Sequence, residues 1–145
     1  HASWSDFRII RAQLTGASLD DPTTTTQGRT IPYAVFATPE LARIGLSETE
    51  AREAGLDVRI AKVPTAAIPR AKTLRYAGEG FWKAVVDANT HQILGATLLG
   101  PNVSEVISVV HVAMAGGLTY EQLRFLPIAH PTMGEGLQVL FDSLG

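Results

Sequence analysis

The sequence predicts an α+β fold, a two-layer sandwich of a mainly antiparallel sheet packed with helices. Three observations carry that expectation. Two apolar runs, 81–86 and 93–99, flank the turn-forming Asp87-Ala88-Asn89-Thr90 and read as an antiparallel hairpin. Stretches of helical period stand before and after the strand runs instead of alternating strictly with them, which argues against a doubly wound sheet. One stretch, with Val103, Val106, Ile107, Val110 and Met114 on a stripe and Val109 and Val112 off it, is apolar on most sides. Such a helix is central to a fold or lies at an interface.

Taken in order, Ser3 to Asp6 supply a serine cap with an acidic third position, and Phe7, Ile9, Ile10 and Leu14 continue as an amphipathic helix that should end at Gly16. Asp20-Asp21-Pro22, the Thr23 to Thr26 run and Gln27-Gly28-Arg29 lack apolar period and read as an exposed connection. The domain boundary is therefore expected there, with 1–30 as a helix plus linker and 31–145 as the main domain. Tyr33 to Phe36 form a short β-rich run ended by Thr38-Pro39, because proline cannot donate to a ladder. Ser47 and Glu50 make a capping box for a short helix closed by Gly55, and Val58, Ile60 and Val63 suggest a strand. Asn102 and Glu105 are expected to box the apolar helix, which Gly116-Gly117 should stop. Thr119 and Gln122 box a further short helix before Pro127, and a last helix is expected over 133–144, with Leu137, Leu140, Phe141 and Leu144 on one side.

Composition excludes several functions. The 145 residues carry a formal charge of -2 with a pI near 6.1, so no basic field exists to hold a phosphate backbone, and nucleic acid is not an expected partner. No apolar run approaches the ~20 residues of a membrane span, and the start lacks a charged head followed by a hydrophobic stretch, so a cytoplasmic protein without membrane contact is expected. Cysteine is absent, which removes thiolate metal sites and thiol nucleophiles from this chain. The opening His1 is read as the start of a processed product, an expression fragment or a tag remnant.

Chemistry concentrates in Ile128-Ala129-His130-Pro131-Thr132-Met133-Gly134-Glu135. An imidazole changes charge near neutral pH, and Glu135 is placed to accept the ring N–H of His130 and so orient it. Thr132 and Glu135 also form a capping box, so a helix start accounts for both residues without catalysis. His111 reads as a packed or interface histidine, while His1 and His91 fall at the chain end and beside a turn, without paired spacing for zinc. Ser104 and Ser108 lack the Gly-x-Ser-x-Gly elbow of a serine hydrolase, and Arg70 and Lys83 read as solvated or interface charges.

His130-Pro131-Thr132, two residues, then Glu135 closely resembles the C-terminal signature of the pyridine nucleotide-disulfide oxidoreductases, the family of glutathione, mercuric and dihydrolipoamide reductases. Other stretches are similar in the same order. Ser5-Asp6-Phe7-Arg8-Ile9-Ile10 looks like the end of that family's FAD domain, and Pro32 to Phe36 with Pro39 to Leu46 resembles the entry to its dimerisation domain. Pro69-Arg70-Ala71, Gly80 to Lys83, Ile93 to Ala96 and Gly100 to Asn102 through Glu105 to Ile107 extend the likeness over nearly the whole chain.

The resemblance implies a C-terminal dimerisation domain, preceded in 1–30 by the end of the FAD-domain helix plus a linker. It implies a homodimer in which His130 and Glu135 reach the partner's redox disulfide, the histidine protonating a leaving thiolate and later deprotonating an incoming thiol. It also implies a cis bond at Pro131. The parent enzyme would use FAD and NAD(P)H, bound by its FAD and NAD(P) domains, yet this chain holds neither a Gly-x-Gly-x-x-Gly loop nor a spaced cysteine pair. No cofactor is therefore expected in the isolated chain, which should be colourless and inactive. Mercuric ion, a small disulfide and a dihydrolipoyl group all stand as substrates. Two other readings stand beside this one: an independent α+β oligomerisation or small-ligand module without catalysis, and a small hydrolase or isomerase using His130 and Glu135 as a self-contained pair.

Overall fold

The computed structural model describes residues 1–17 and 24–145, and the chain divides into two units, His1–Ile31 and Pro32–Gly145. In the first unit, helix α1 spans Ala2–Leu14 and stops at Thr15, followed by Gly16 at φ +77°. It begins before the expected serine cap: His1 is the N-cap and makes no side-chain cap bond. Asp6, the expected third position of the cap, instead accepts from Arg29 Nη1 at 2.7 Å, and Arg29 Nη1 also donates to Ser5 Oγ at 2.9 Å. Asp20-Asp21-Pro22 and Thr23 of the expected connection lie outside the described residues, and Thr24, expected to be exposed, is buried.

The second unit is built on a five-stranded sheet in the order β1-β2-β5-β4-β3, antiparallel at every pairing. Its strands are β1 (Tyr33–Val35), β2 (Glu40–Gly45), β3 (Val58–Pro64), β4 (Phe81–Asp87) and β5 (Ile93–Gly100). The sequence reading missed β2, whose ELARIG run mixes charge with short apolar side chains and has no β-rich core of its own. It is a strand because both neighbours demand it, β1 through Ala34 opposite Ala42 and β5 through Ile44 opposite Ala96.

Side chains alternate across a strand, so register decides the core. Trp82 pairs with Val63 and Leu98, and Ala84 with Ala61 and Ala96. Together with Ala42 and Ile44 they form one buried face. Helix α4 (Val103–Ala115) crosses that face over β1, β2 and β5, and α6 (Gly136–Asp142) crosses it over β3 and β4. Between them runs α5 (Tyr120–Phe125), packed on α6, and the short α3 (Pro69–Thr73) supplies Ala71 and the residue before it, Ile68. This is the expected α+β arrangement.

The other face carries Arg43 and Lys83, which meet helix α2 (Glu48–Glu53) through ion pairs to Glu50 and Glu48. The Ser47 capping box forms as read: Glu50 N donates to Ser47 Oγ at 3.2 Å, and Ser47 N to Glu50 Oε2 at 2.7 Å. Gly55 follows at φ +72°. The Thr119 box is likewise present, with Gln122 Oε1 accepting the Thr119 N–H at 2.8 Å.

The box expected at Asn102 does not form. Asn102 sits at φ 57°, outside the extended conformation from which a side chain reaches back over the first turn, and makes no cap bond. Glu40 of β2 takes the role instead, its Oε2 accepting from Ser104 N at 3.2 Å and Ser104 Oγ at 2.8 Å. The carboxylate meets the electropositive end of α4. α6 also departs from its expected span, starting at Gly136 because Met133 to Glu135 are spent on the turn that precedes it.

Two predictions follow from this packing. Gly45 closes β2 at φ +65°, and a Cβ there would run into the carbonyl of Leu94. Gly45→Ala should lower stability by about 1–3 kcal/mol, read as a fall in the urea midpoint. The second concerns acid. Hydrogen bonds from Lys83 and Arg52 hold the Glu48 carboxyl below its ordinary value, and those from the Ser47 side chain and backbone, with Arg43, do the same for Glu50. The folded chain then binds fewer protons than the unfolded chain around the ordinary carboxyl pKa. Stability from both groups is complete above that value and is lost as pH falls through the lowered ones. Glu50→Gln should therefore show a smaller drop in urea midpoint between about pH 7 and about pH 3 than the unsubstituted chain.

Candidate active site

The segment between α5 and α6 carries His130, and its anchorage begins with proline. Leu126 leaves the helix in an extended conformation, as the residue before Pro127 must. Arg124 Nε reaches Asp142 Oδ1 at 2.7 Å and Gln138 Nε2 donates to Leu126 O at 2.7 Å, so the end of α5 is tied both to the last residue of α6 and to its first turn. Inside it, Thr132 Oγ1 donates to Ala129 O at 2.7 Å and accepts the Glu135 N–H at 3.3 Å. The His130–Pro131 bond is cis.

The two candidate residues meet. His130 Nδ1 lies 2.7 Å from Glu135 Oε2, and the two side chains differ sharply in surroundings: that of His130 is 69% exposed and that of Glu135 only 7%. Glu135 Oε1 is buried and has no hydrogen-bond partner among the described residues. Among the described residues the imidazole is therefore the only donor to this carboxylate's side-chain oxygens, which couples the buried group to the exposed one. With Nδ1–H donating to Glu135, the lone pair of the neutral ring sits on Nε2. That nitrogen makes no hydrogen bond among the described residues, so the ring can exchange a proton with a group outside the chain.

The helix-start reading of Thr132 and Glu135 is half right. Thr132 accepts the Glu135 N–H as a cap would, but the glutamate carboxylate turns to His130 and does not return to the Thr132 backbone. Burial of Glu135 is set by its neighbour. A Cβ on Gly136 would lie 2.6 and 2.8 Å from Trp82 ring atoms and 2.8 Å from Ile68 Cδ1, so the start of α6 presses directly on the indole. Gly136 and Gln138 were not singled out in the sequence. The readable signal was a glycine and a glutamine inside the otherwise apolar start of the last helix.

The remaining polar candidates are placed apart from this pair. His91 bonds Glu121 Oε1 through Nδ1 at 2.5 Å, at the far end of α5, and His111 is half-buried on α4. His1 caps α1, Ser104 serves Glu40, Ser108 is exposed, Arg70 donates to Thr73 Oγ1 at 3.1 Å, and Lys83 pairs with Glu48. Among the described residues no group of three or more His, Cys, Asp or Glu is arranged to hold a metal ion.

Fold and sequence together define a class: the chain belongs to the pyridine nucleotide-disulphide oxidoreductases as their dimerisation domain, which matches residues 31–140. Its similarity to the probable pyridine nucleotide-disulfide oxidoreductase RclA of Escherichia coli is 40% identity over 142 residues, 98% of this chain and 31% of that one. The dihydrolipoyl dehydrogenase of Bacillus subtilis is 41% identical over 105 residues, 72% of this chain and 22% of its own length. The solved HOCl-induced flavoprotein disulfide reductase RclA superposes with a TM-score of 0.84 at 40% identity, covering 97% of this chain and 31% of that chain. The chain thus spans about a third or less of these relatives.

Gly136→Ala tests how the site is held. Forcing a methyl group against Trp82 should cost about 1–3 kcal/mol in denaturant unfolding. In the folded fraction it should displace the Glu135 carboxylate, seen as a changed imidazole Nδ1 signal of His130 by NMR.

Proposed function

We propose that this domain serves an FAD-dependent NAD(P)H:disulfide or mercuric oxidoreductase of the cytoplasm, pairing with a second copy and supplying His130 and Glu135 to the partner's redox disulfide. Residues 1–30 are then the end of the FAD-domain helix and the linker that follows it. The observation that carries this reading is the exposed imidazole held at Nδ1 by a buried carboxylate. A histidine serving its own chain's interior would be covered, whereas this one offers Nε2 outward. Exposed apolar side chains support association: Phe125 is 71% exposed and Leu126 is open at the start of the His130 segment, and on α4 Val112 is 72% exposed and Val109 is open.

The chemistry follows from the tautomer. As general base, Nε2 takes the proton of an incoming thiol, leaving a thiolate that attacks the disulfide; as general acid, the imidazolium returns that proton to the departing thiolate. Glu135 holds the ring in the required orientation and stabilises its cationic form through the Nδ1–H bond. Among the described residues no glycine-rich loop joins a strand to a helix as a dinucleotide cradle, and the domain's part in turnover is this proton transfer. FAD and NAD(P)H, supplying electrons in the parent enzyme, belong to its other domains.

In the parent enzyme, His130→Gln should slow the thiol–disulfide half-reaction by about 10²-fold or more while flavin reduction by the nicotinamide proceeds at its normal rate, separable by stopped flow. Equal loss in both half-reactions would defeat the assignment. Glu135→Gln should slow the same half-reaction more mildly, because the ring keeps its Nε2 but loses the charge that stabilises the imidazolium.

A further inference from the structure

We propose that Gln138 is a positioning residue for His130, fixing where the imidazole is presented to the thiol. The inference rests on the proton-transfer reading above and adds the element that sets its geometry. Gln138 is bonded to both ends of the segment carrying His130: its backbone N–H donates to Glu135 O at 3.0 Å, and its side-chain Nε2 donates to Leu126 O at 2.7 Å. A second, longer contact reaches Arg124 O at 3.5 Å. A carbonyl only accepts, so the amide must present Nε2 and not its oxygen to these partners.

The backbone bond belongs to the ordinary start of α6, but the side-chain bond does not. It answers the Leu126 carbonyl, which lies past the last turn of α5 and accepts no backbone N–H among the described residues. Gln138 is half-buried on α6, between the buried Leu137 and the partly buried Val139. Its amide thus closes the segment 126–135 into a loop of fixed span, and His130 sits near the middle of that loop. Thr132 braces the loop from within through Ala129 O, and among the described residues only Gln138 bonds to both of its ends. Errors near 1 Å in a reacting group cost up to about 10²-fold in rate, so slack at Leu126 should reach the chemistry.

The test uses the full parent enzyme with three substitutions. Gln138→Leu keeps the volume and removes the donor; Asp142→Ala breaks the Arg124 ion pair, loosening the same two helices while leaving the Leu126 carbonyl held; His130→Gln reports whether the imidazole is used at all. Stopped-flow rates of the thiol–disulfide half-reaction and of flavin reduction are measured beside the thermal midpoint. Gln138→Leu should slow the thiol–disulfide step about tenfold with flavin reduction unchanged, and Asp142→Ala should lower the midpoint without slowing that step. If Gln138→Leu leaves the step untouched, slows both half-reactions alike, or is matched by Asp142→Ala at equal midpoint, the positioning role is overturned while the reading of His130 stands. If His130→Gln itself leaves the step untouched, the reading beneath it fails, and this inference with it.

Discussion

The indole of Trp82 is fully buried where β4, Ile68 and the start of α6 meet, and it leaves no room above Gly136 for even a methyl group. That contact sets the height of the last helix on the sheet. The residue before Gly136 is consequently drawn into the protein, so Glu135 is buried although it ends a surface turn. The residue five positions earlier stays outside, and a 2.7 Å bond joins the two. An exposed imidazole on a buried carboxylate is thus a result of close packing at one aromatic ring as much as of the His-Pro-Thr sequence itself.

Much of this architecture was legible in short-range pattern. The Ser47–Glu50 and Thr119–Gln122 boxes and the hairpin at 87–92 are each specified by residues within a few positions of one another, and each forms as read. What escaped reading depends on distant partners. β2 has little strand character alone and is held by ladders on both sides. The start of α4 is capped by Glu40, far away in sequence, and not by its own Asn102. Local pattern could not decide between two uses of Glu135 because a capping box and a histidine tether ask for the same side chain; the backbone N–H took one role and the carboxylate the other.

The two faces of the sheet are built by different means. Toward α4 and α6 the contacts are apolar and continuous, from Ala42 and Ile44 through Leu98 and Trp82 to Val63. Toward α2 ion pairs are added, with Arg43 and Lys83 each answered by a glutamate of one short helix, beside the buried Ala51 and Val85. Exposed ion pairs contribute little individually.

The sheet's borders are also unlike its centre. β1, the outermost strand at one end, is only three residues long and is bracketed by Pro32 and by Pro39, whose bond from Thr38 is cis; β3, at the other end, finishes on Lys62, Val63 and Pro64. A stray extended peptide would find too few consecutive amides to grow upon at the β1 border. Molecules crowded together at high concentration should therefore resist ribbon-like polymerisation along that border, where backbone is scarce.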